Sequence, residues 1–180
     1  VSYDETIQHC RKSLDNLGLD RMDLYLVHAP PEDIDARATV WRGMEECLER
    51  GWTRAIGVSN YGAHHLDAMR SYATIMPSVN QIEIHPWLQR PALHAATEAI
   101  GAVPMAYSPL ARGDKISDVR LVAIAESVGC TPAQAAIKWV YDTGAITIPK
   151  SSNHGRIDEN YASLSVDLAG TEADFAVMEE

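Results

Sequence analysis

The sequence is poor in cysteine, in positive charge and in long apolar runs, and each shortage excludes a class of protein. Its three cysteines, Cys10, Cys47 and Cys130, are odd in number and far apart, so they form neither a disulfide framework nor a zinc-ligand spacing. It has 15 lysines and arginines against 25 aspartates and glutamates, so its net charge is -10. This acidic balance disfavours nucleic acids and acidic membranes as partners. No apolar run reaches the roughly 18 residues of a membrane span, and no leader is visible, so we expect a cytoplasmic protein.

Helix and strand patterns alternate along the 180 residues, of which 46% are hydrophobic, and we expect a single domain over residues 1–180. Ser2 and Glu5 form a capping box that, with the stop at Gly18, predicts a helix over residues 3–17. Thr131 and Gln134 form another, which begins a helix that reaches residue 141. Two prolines and three acids predict a surface loop at residues 29–37, and Thr171 with Asp174 predicts a terminal helix.

Five short apolar segments predict strands. They cover residues 23–28, 55–60, 79–85, 103–108 and 145–149. Because no hairpin turn joins any two of them, we expect a parallel sheet with helical crossovers. No G-x-G-x-x-G follows the first strand, and polar residues follow all five strand ends, so the sequence favours part of a (β/α)8 TIM barrel over a doubly wound sheet.

A cluster of phosphate-binding residue types follows the last predicted strand. Lys150, Ser151 and Arg156 lie between that strand and the start of a helix. Basic and hydroxyl side chains beside the unpaired N–H groups of a helix start are suited to hold a phosphate. Since the overall field of this acidic chain repels anions, a local cluster of this kind is needed to bind one. The run therefore predicts a phosphate site.

Five segments of the chain resemble the aldo-keto reductase family. Residues 17–28, which end at His28, resemble its fourth barrel strand, and Ala-Ile-Gly-Val-Ser-Asn at residues 55–60 resembles its fifth. Gln81 lies in a segment similar to the next strand, and Ala-Tyr-Ser-Pro-Leu at residues 106–110 resembles the seventh. Residues 148–160 match the family's cofactor signature. The resemblance covers essentially the whole chain and implies NADPH-dependent reduction of an aldehyde or ketone to an alcohol.

The resemblance also implies the role of each matching residue. His28 would orient the substrate carbonyl, while Ser59, Asn60 and Gln81 would hold the nicotinamide carboxamide and Tyr107 would stack on the nicotinamide ring. The residues implied for the rest of the cofactor are Ser108 and Leu110 at the pyrophosphate, Lys150, Ser151 and Arg156 at the 2′-phosphate, and Glu159 and Asn160 at the adenine. A lysine with a bidentate arginine suits a phosphate monoester, which favours NADPH over NADH.

The catalytic tyrosine, lysine and aspartate of the family have no counterpart in this sequence. In the family they lie on the first three strands, and the tail of this chain ends early at Glu180. Tyr25 cannot replace the tyrosine, because it is three residues from His28 and faces the other side of its strand. We therefore expect a domain incomplete at both ends, with weak or no turnover. Its unclosed sheet predicts self-association.

Two other functions remain open from the sequence. One is a non-catalytic short form that binds the cofactor or a partner. The other is a metal-dependent hydrolase that uses His28, Glu83 and His85, but no His-x-His follows a first strand, so we expect no metal site. Trp87 lies just beyond a predicted strand end and is expected to line a substrate pocket.

Overall fold

The computed structural model describes residues 1–179. Contacts between residues divide the chain into two compact units, which we call unit 1 and unit 2. Unit 1 contains residues 1–81 and 92–103, and unit 2 contains residues 82–91 and the described residues from 104 onward. The single domain expected over residues 1–180 stays a prediction.

Five strands within residues 1–179 form one sheet whose order follows the chain. They are β1 (Met22–Val27), β2 (Thr53–Ser59), β3 (Val79–Glu83), β4 (Val103–Tyr107) and β5 (Ile146–Thr147). In unit 1, β1 pairs with β2 and β2 with β3, both in parallel. In unit 2, β4 and β5 are also parallel. The parallel sheet with helical connections that the sequence predicts is confirmed.

Eight α-helices accompany these strands in the described part of the chain. They are α1 (Tyr3–Leu17), α2 (Ile34–Glu49), α3 (Ala63–Met69), α4 (Pro91–Glu98), α5 (Val119–Val128), α6 (Pro132–Asp142), α7 (His154–Ala162) and α8 (Glu172–Ala176). Among residues 1–179, no helix has both the length and the apolar content that crossing a membrane requires.

The capping residues at the ends of α1 and α6 act as the sequence predicts. The Ser2 hydroxyl accepts from the Glu5 N–H at 3.2 Å, and the Glu5 carboxylate accepts from the Ser2 N–H at 2.7 Å. Gly18 ends α1 in the left-handed region at φ 65°, which glycine adopts without steric cost. Thr131 and Gln134 form the second capping box. The predicted bounds of α1 are therefore confirmed.

Several boundaries differ from the predictions. The expected loop at residues 29–37 is wrong from Ile34 onward, because Asp33 accepts a hydrogen bond from the Asp35 N–H at 3.1 Å and begins α2 there. Helix α5 (Val119–Val128) was not expected from the sequence. The strand β5 is only two residues long, against five predicted. Thr171 precedes α8 as predicted, but its hydroxyl donates to the Leu168 carbonyl at 2.7 Å and does not cap the helix.

Gly57 of unit 1 lies where neighbouring strands are too close together to leave room for a side chain. A Cβ atom on Gly57 of β2 would lie 2.7 Å from both Leu26 Cδ2 and Val79 Cγ2. Real Cβ atoms essentially never come that close to another carbon, so only glycine fits. Because Gly57 has no side chain, β1, β2 and β3 can pack closely together. The candidate site residues of unit 1 lie at the ends of these strands.

Unit 2 has its own apolar core. α5 and α6 contribute buried residues that include Leu121, Ile124 and Ala136, and Phe175 of α8 joins them. The rings of Trp139 and Phe175 stack with centroids 5.9 Å apart. This core supports the loop after β4 and the helix α7, which carry most of the remaining candidate site residues.

Candidate cofactor-binding site

The four candidate residues of unit 1 are brought together at the ends of three strands. Ser59 ends β2 and is paired with Gln81 of β3, while His28 follows β1 and is exposed. The Ser59 hydroxyl donates to the Gln81 carbonyl at 2.8 Å, and the backbone N–H of Asn60 donates to the same carbonyl at 2.9 Å. Parallel strands end at the same edge of a sheet, so these polar groups form one cluster.

Asn60 links that cluster to the histidine. Its side-chain amide donates to the His28 carbonyl at 3.0 Å and to the Ser59 hydroxyl at 3.1 Å. The backbone of Asn60 is left-handed, with φ 61°, a conformation that asparagine tolerates better than most residues. The turn after β2 therefore fixes the backbone at the end of β1.

Seven candidate residues of unit 2 line a cleft of about 710 Å³. They are Ser108, Leu110, Lys150, Ser151, Arg156, Glu159 and Asn160. Tyr107, which the resemblance places against the nicotinamide ring, is half-buried at the end of β4. The lining comes from the loop after β4, the start of α6 and the connection from β5 into α7. The roles that the resemblance implies for these residues stay predictions.

The cleft carries an excess of positive charge. Lys150, Arg156 and Arg112 line it and are exposed. None of their side chains has an ion-pair or hydrogen-bond partner among the described residues. The chain has ten more acidic than basic side chains, so unpaired cations in one cleft mark a place where an anion would be attracted.

The start of α7 is arranged by side-chain hydrogen bonds. Asn153 accepts a bond from the Arg156 N–H at 3.1 Å and so caps the helix. The Ser151 hydroxyl accepts from the Asn153 N–H at 3.1 Å. Because the cap already occupies one N–H of the first turn, the helix offers an anion fewer free N–H groups than the sequence suggests. The charged side chains of Lys150 and Arg156 are the remaining groups of this segment that would attract an anion.

The capping box of α6 also holds the wall formed by Glu159 and Asn160. The Thr131 hydroxyl donates to the Glu159 carboxylate at 2.7 Å, and the Gln134 side chain donates to the Glu159 carbonyl at 3.4 Å. Asn160 is buried. The sequence predicts this capping box but not its contact with α7, because the partner lies 28 residues away.

The loop after β4 has an unusual backbone. Ser108, Ala111 and Arg112 have φ values of 49°, 46° and 58°, the left-handed region that residues other than glycine seldom adopt. Hydrogen bonds from the Ala111 N–H to the Ser108 carbonyl and from the Gly113 N–H to the Leu110 carbonyl, both 2.8 Å, close the turn. Such conformations persist where the surroundings fix them, and they concentrate at functional sites.

Trp87 lies in the core of unit 2. Its side chain is only 2% exposed, and it packs in the cluster that contains Leu121 and Ile124. Its indole N–H donates to the Asp118 carboxylate at 2.8 Å. Arg120 also bonds that carboxylate, at 2.6 Å, and holds the pKa of Asp118 well below its usual range. A substrate-pocket role for Trp87 stays a prediction, whereas its contacts show a structural one.

Within residues 1–179, no group of three or more histidine, cysteine, aspartate or glutamate side chains is placed to hold a metal ion. Glu83 and His85 are two of the three residues considered for a metal site. In unit 2, His85 Nε2 lies 3.9 Å from Glu83 Oε1. The chain is a parallel α/β protein in which polar residues follow the strands, and cations line a cleft of unit 2.

The comparisons with known proteins agree with that class. The model of the Aldo/keto reductase family matches residues 1–114 and 117–179, and the chain belongs to this family. It is 36% identical over 192 residues to aldose reductase B of Dictyostelium discoideum, covering 93% of this chain and 62% of that protein. The chain therefore spans less than two thirds of the length of this curated relative.

Two solved structures resemble the fold. An aldo-keto reductase from a Medee basin deep-sea metagenome library has a TM-score of 0.94 at 34% identity, with 99% of this chain and 66% of that chain covered. A Bombyx mori aldo-keto reductase in complex with NADP has a TM-score of 0.85 at 33% identity, with 98% and 62% covered. The five-stranded sheet with its helices fits part of a (β/α)8 barrel, as the sequence predicts.

Proposed function

We propose that this chain binds NADPH and serves the reduction of an aldehyde or ketone to an alcohol. The observation that carries the proposal is the pair of unpaired cations, Lys150 and Arg156, in the cleft of unit 2. A 2′-phosphate offers them charge and several acceptor oxygens, whereas the ribose hydroxyl of NADH offers neither, so the pair favours NADPH. The NADP bound by the Bombyx mori relative supports this choice.

The cluster at the strand ends of unit 1 is chemically suited to a nicotinamide carboxamide. A carboxamide carries one acceptor and two donors, and the side-chain amides of Asn60 and Gln81 offer both kinds of group. We assign Ser59, Asn60 and Gln81 to the carboxamide and Tyr107 to the ring face. When bound, the cofactor would supply a hydride to the carbonyl carbon of the substrate.

His28 is the residue that we assign to the substrate. Its side chain is exposed at the end of β1, and its backbone is held by the amide of Asn60. An imidazole N–H there would donate to the carbonyl oxygen as negative charge develops on it. We assign no residue of this chain to the roles of the family's tyrosine, lysine and aspartate, and we propose that residues 1–180 by themselves reduce carbonyls weakly or not at all. We do not propose the non-catalytic short form, because the relatives that match the chain carry the names of reductases.

Titration of the protein with NADPH, followed by nicotinamide fluorescence, tests the proposal. We expect saturable binding, and no saturation at millimolar cofactor would contradict it. Lys150→Met should weaken NADPH about tenfold and leave NADH nearly unchanged. Equal losses for both cofactors would refute the 2′-phosphate assignment. Lys12→Met is the matched control, because Lys12 is exposed on α1 and lies outside the cleft.

A further inference from the structure

Asn80 precedes Gln81 on β3, but its side chain lies on the other face of the sheet. Successive side chains of a strand alternate between the two faces. Neither Asn80 nor Thr97 on α4 is exposed to solvent. Burying an amide side chain costs free energy unless hydrogen bonds satisfy it, so the partners of Asn80 indicate its role.

The Asn80 side chain bonds both backbone polar groups of Tyr61. Its Nδ2 donates to the Tyr61 carbonyl at 3.0 Å, and its Oδ1 accepts from the Tyr61 N–H at 3.4 Å. Nδ2 also donates to the Thr97 hydroxyl at 3.2 Å, which in turn donates to the Leu93 carbonyl at 2.9 Å. Both donors and the oxygen of the amide are therefore used. Because Tyr61 is only 1% exposed, its backbone groups need partners within the protein.

Tyr61 directly follows Asn60, whose side chain belongs to the cluster at the strand ends of unit 1. Two successive residues of the turn after β2 are thus attached to β3. The Asn60 N–H donates to the Gln81 carbonyl at 2.9 Å, and Tyr61 is bonded by Asn80. Asn60 is left-handed at φ 61°, and a residue other than glycine stays in that conformation only where its surroundings fix it. The bonds from Asn80 supply part of that constraint.

We propose that Asn80 is a positioning residue for the nicotinamide carboxamide, acting from the opposite face of the sheet. By holding the backbone of Tyr61, it keeps Asn60 in the turn that places its amide beside the Ser59 hydroxyl. The inference rests on the proposed binding of NADPH. Because Asn80 acts only through Asn60, its substitution should weaken binding of the nicotinamide and leave binding of the 2′-phosphate unchanged.

Isothermal titration of Asn80→Asp with three ligands tests this role. The ligands are NADPH, NADH and 2′-AMP, which carries a 2′-phosphate but no nicotinamide. Aspartate has a similar shape but lacks the Nδ2 that donates to the Tyr61 carbonyl. We expect NADPH and NADH each to bind about fivefold more weakly, while 2′-AMP binds as it does to the wild type.

Thr97→Val is the matched control, because it removes a hydrogen bond from the same buried amide and leaves both bonds to Tyr61 in place. It should lower the stability of the protein without changing the affinity for any of the three ligands. A loss of NADPH affinity equal to that of Asn80→Asp would overturn the proposal, since the effect would then follow from stability alone.

A double-mutant cycle with Asn60→Gly separates positioning from a general structural role. If Asn80 acts through the side chain of Asn60, adding Asn80→Asp to Asn60→Gly should cause no further loss of NADPH affinity. A further loss of about fivefold would show that the two residues act independently and would overturn the proposal.

Asn80→Ser is a second variant, because serine is shorter than asparagine and introduces no charge into the buried site. It should show the same pattern as Asn80→Asp. Failure of both variants to fold would overturn the proposal, since Asn80 would then be a requirement of the fold. If the wild type does not bind NADPH, the proposed function fails as well. If the wild type binds NADPH and both folded variants bind it equally tightly, the proposed function stands and this inference alone fails.

Discussion

The hydroxyl of Thr131 lies 2.7 Å from a carboxylate oxygen of Glu159, to which it donates a hydrogen bond. The hydroxyl oxygen of Thr131 also accepts a hydrogen bond from the Gln134 N–H at 3.2 Å and so caps α6. A single side chain thus begins one helix and orients a charged residue on another. Both Thr131 and Glu159 line the cleft of unit 2.

Thr131→Val should disrupt both interactions, because valine has a similar shape but no hydroxyl. We expect a loss of about 1 kcal/mol in the free energy of unfolding from the missing cap and about fivefold weaker NADPH binding from the released Glu159. Thr131→Ser should restore both. Ser2→Ala removes the cap of α1, so it should lower stability by a similar amount without changing the affinity. Unaltered NADPH binding in Thr131→Val would contradict the positioning role.

Asn60→Gly removes the side chain of Asn60 without changing the backbone conformation of the turn after β2. Glycine keeps the left-handed conformation of φ 61°, but the hydrogen bonds to the His28 carbonyl and the Ser59 hydroxyl are lost. We expect NADPH and NADH to weaken equally, by about tenfold, because both carry the nicotinamide. Binding of 2′-AMP should not change. A loss of 2′-AMP affinity in calorimetry would show that the substitution acts through the fold.

Gly57→Ala should destabilise the chain, because the added Cβ would lie 2.7 Å from carbons of Leu26 and Val79 and 2.9 Å from the Val79 carbonyl oxygen. Overpacking of this kind costs about 1–3 kcal/mol in the free energy of unfolding. Gly155→Ala is the control, since its Cβ would meet only Asn153 Oδ1, at 3.4 Å. Urea denaturation of the two variants measures the difference, and equal stability would contradict the close approach of the strands.

The buried thiol of Cys47 should make the protein less stable at high pH. Burial raises the pKa of Cys47 from 9.0 to about 12, so the unfolded chain releases this proton before the folded chain does. The stabilisation is complete below pH 9 and is lost as the pH rises toward 12, with a slope of up to about 1.4 kcal/mol per pH unit. Cys47→Ala should remove this part of the slope in denaturation curves measured from pH 7 upward. An identical slope in both proteins would show that the thiol titrates normally.

Local hydrogen bonding explains which parts of the fold could be predicted from the sequence. Ser2, Glu5 and Gly18 act within one turn of the helix that they delimit, so the bounds of α1 were available from the residues alone. The length of β5 depends on its pairing with Met105 and Ala106 of β4, which no short segment reveals. The local sequence pattern therefore predicts the bounds of α1 but not the length of β5.

The candidate site also has some features that the local sequence predicts and others that depend on distant segments. That Lys150 and Arg156 line the same cleft could be predicted, because the two residues are only six positions apart in the sequence. The contact of Thr131 with Glu159 and the position of Arg112 in the cleft depend on how distant segments fold together. For α5 the signals were present and overlooked, since Asp118 caps the helix and Gly129 ends it in the left-handed region.

The cap that Asn153 forms at the start of α7 affects how cofactor preference can evolve. Under the 2′-phosphate assignment proposed above, the exposed side chains of Lys150 and Arg156 discriminate between dinucleotides, because Asn153 already holds the first turn of the helix. Neither side chain supports the fold through a hydrogen bond or ion pair among the described residues. Preference for a phosphorylated or an unphosphorylated ribose is therefore open to selection by single substitutions at the surface, without passing through an unstable intermediate.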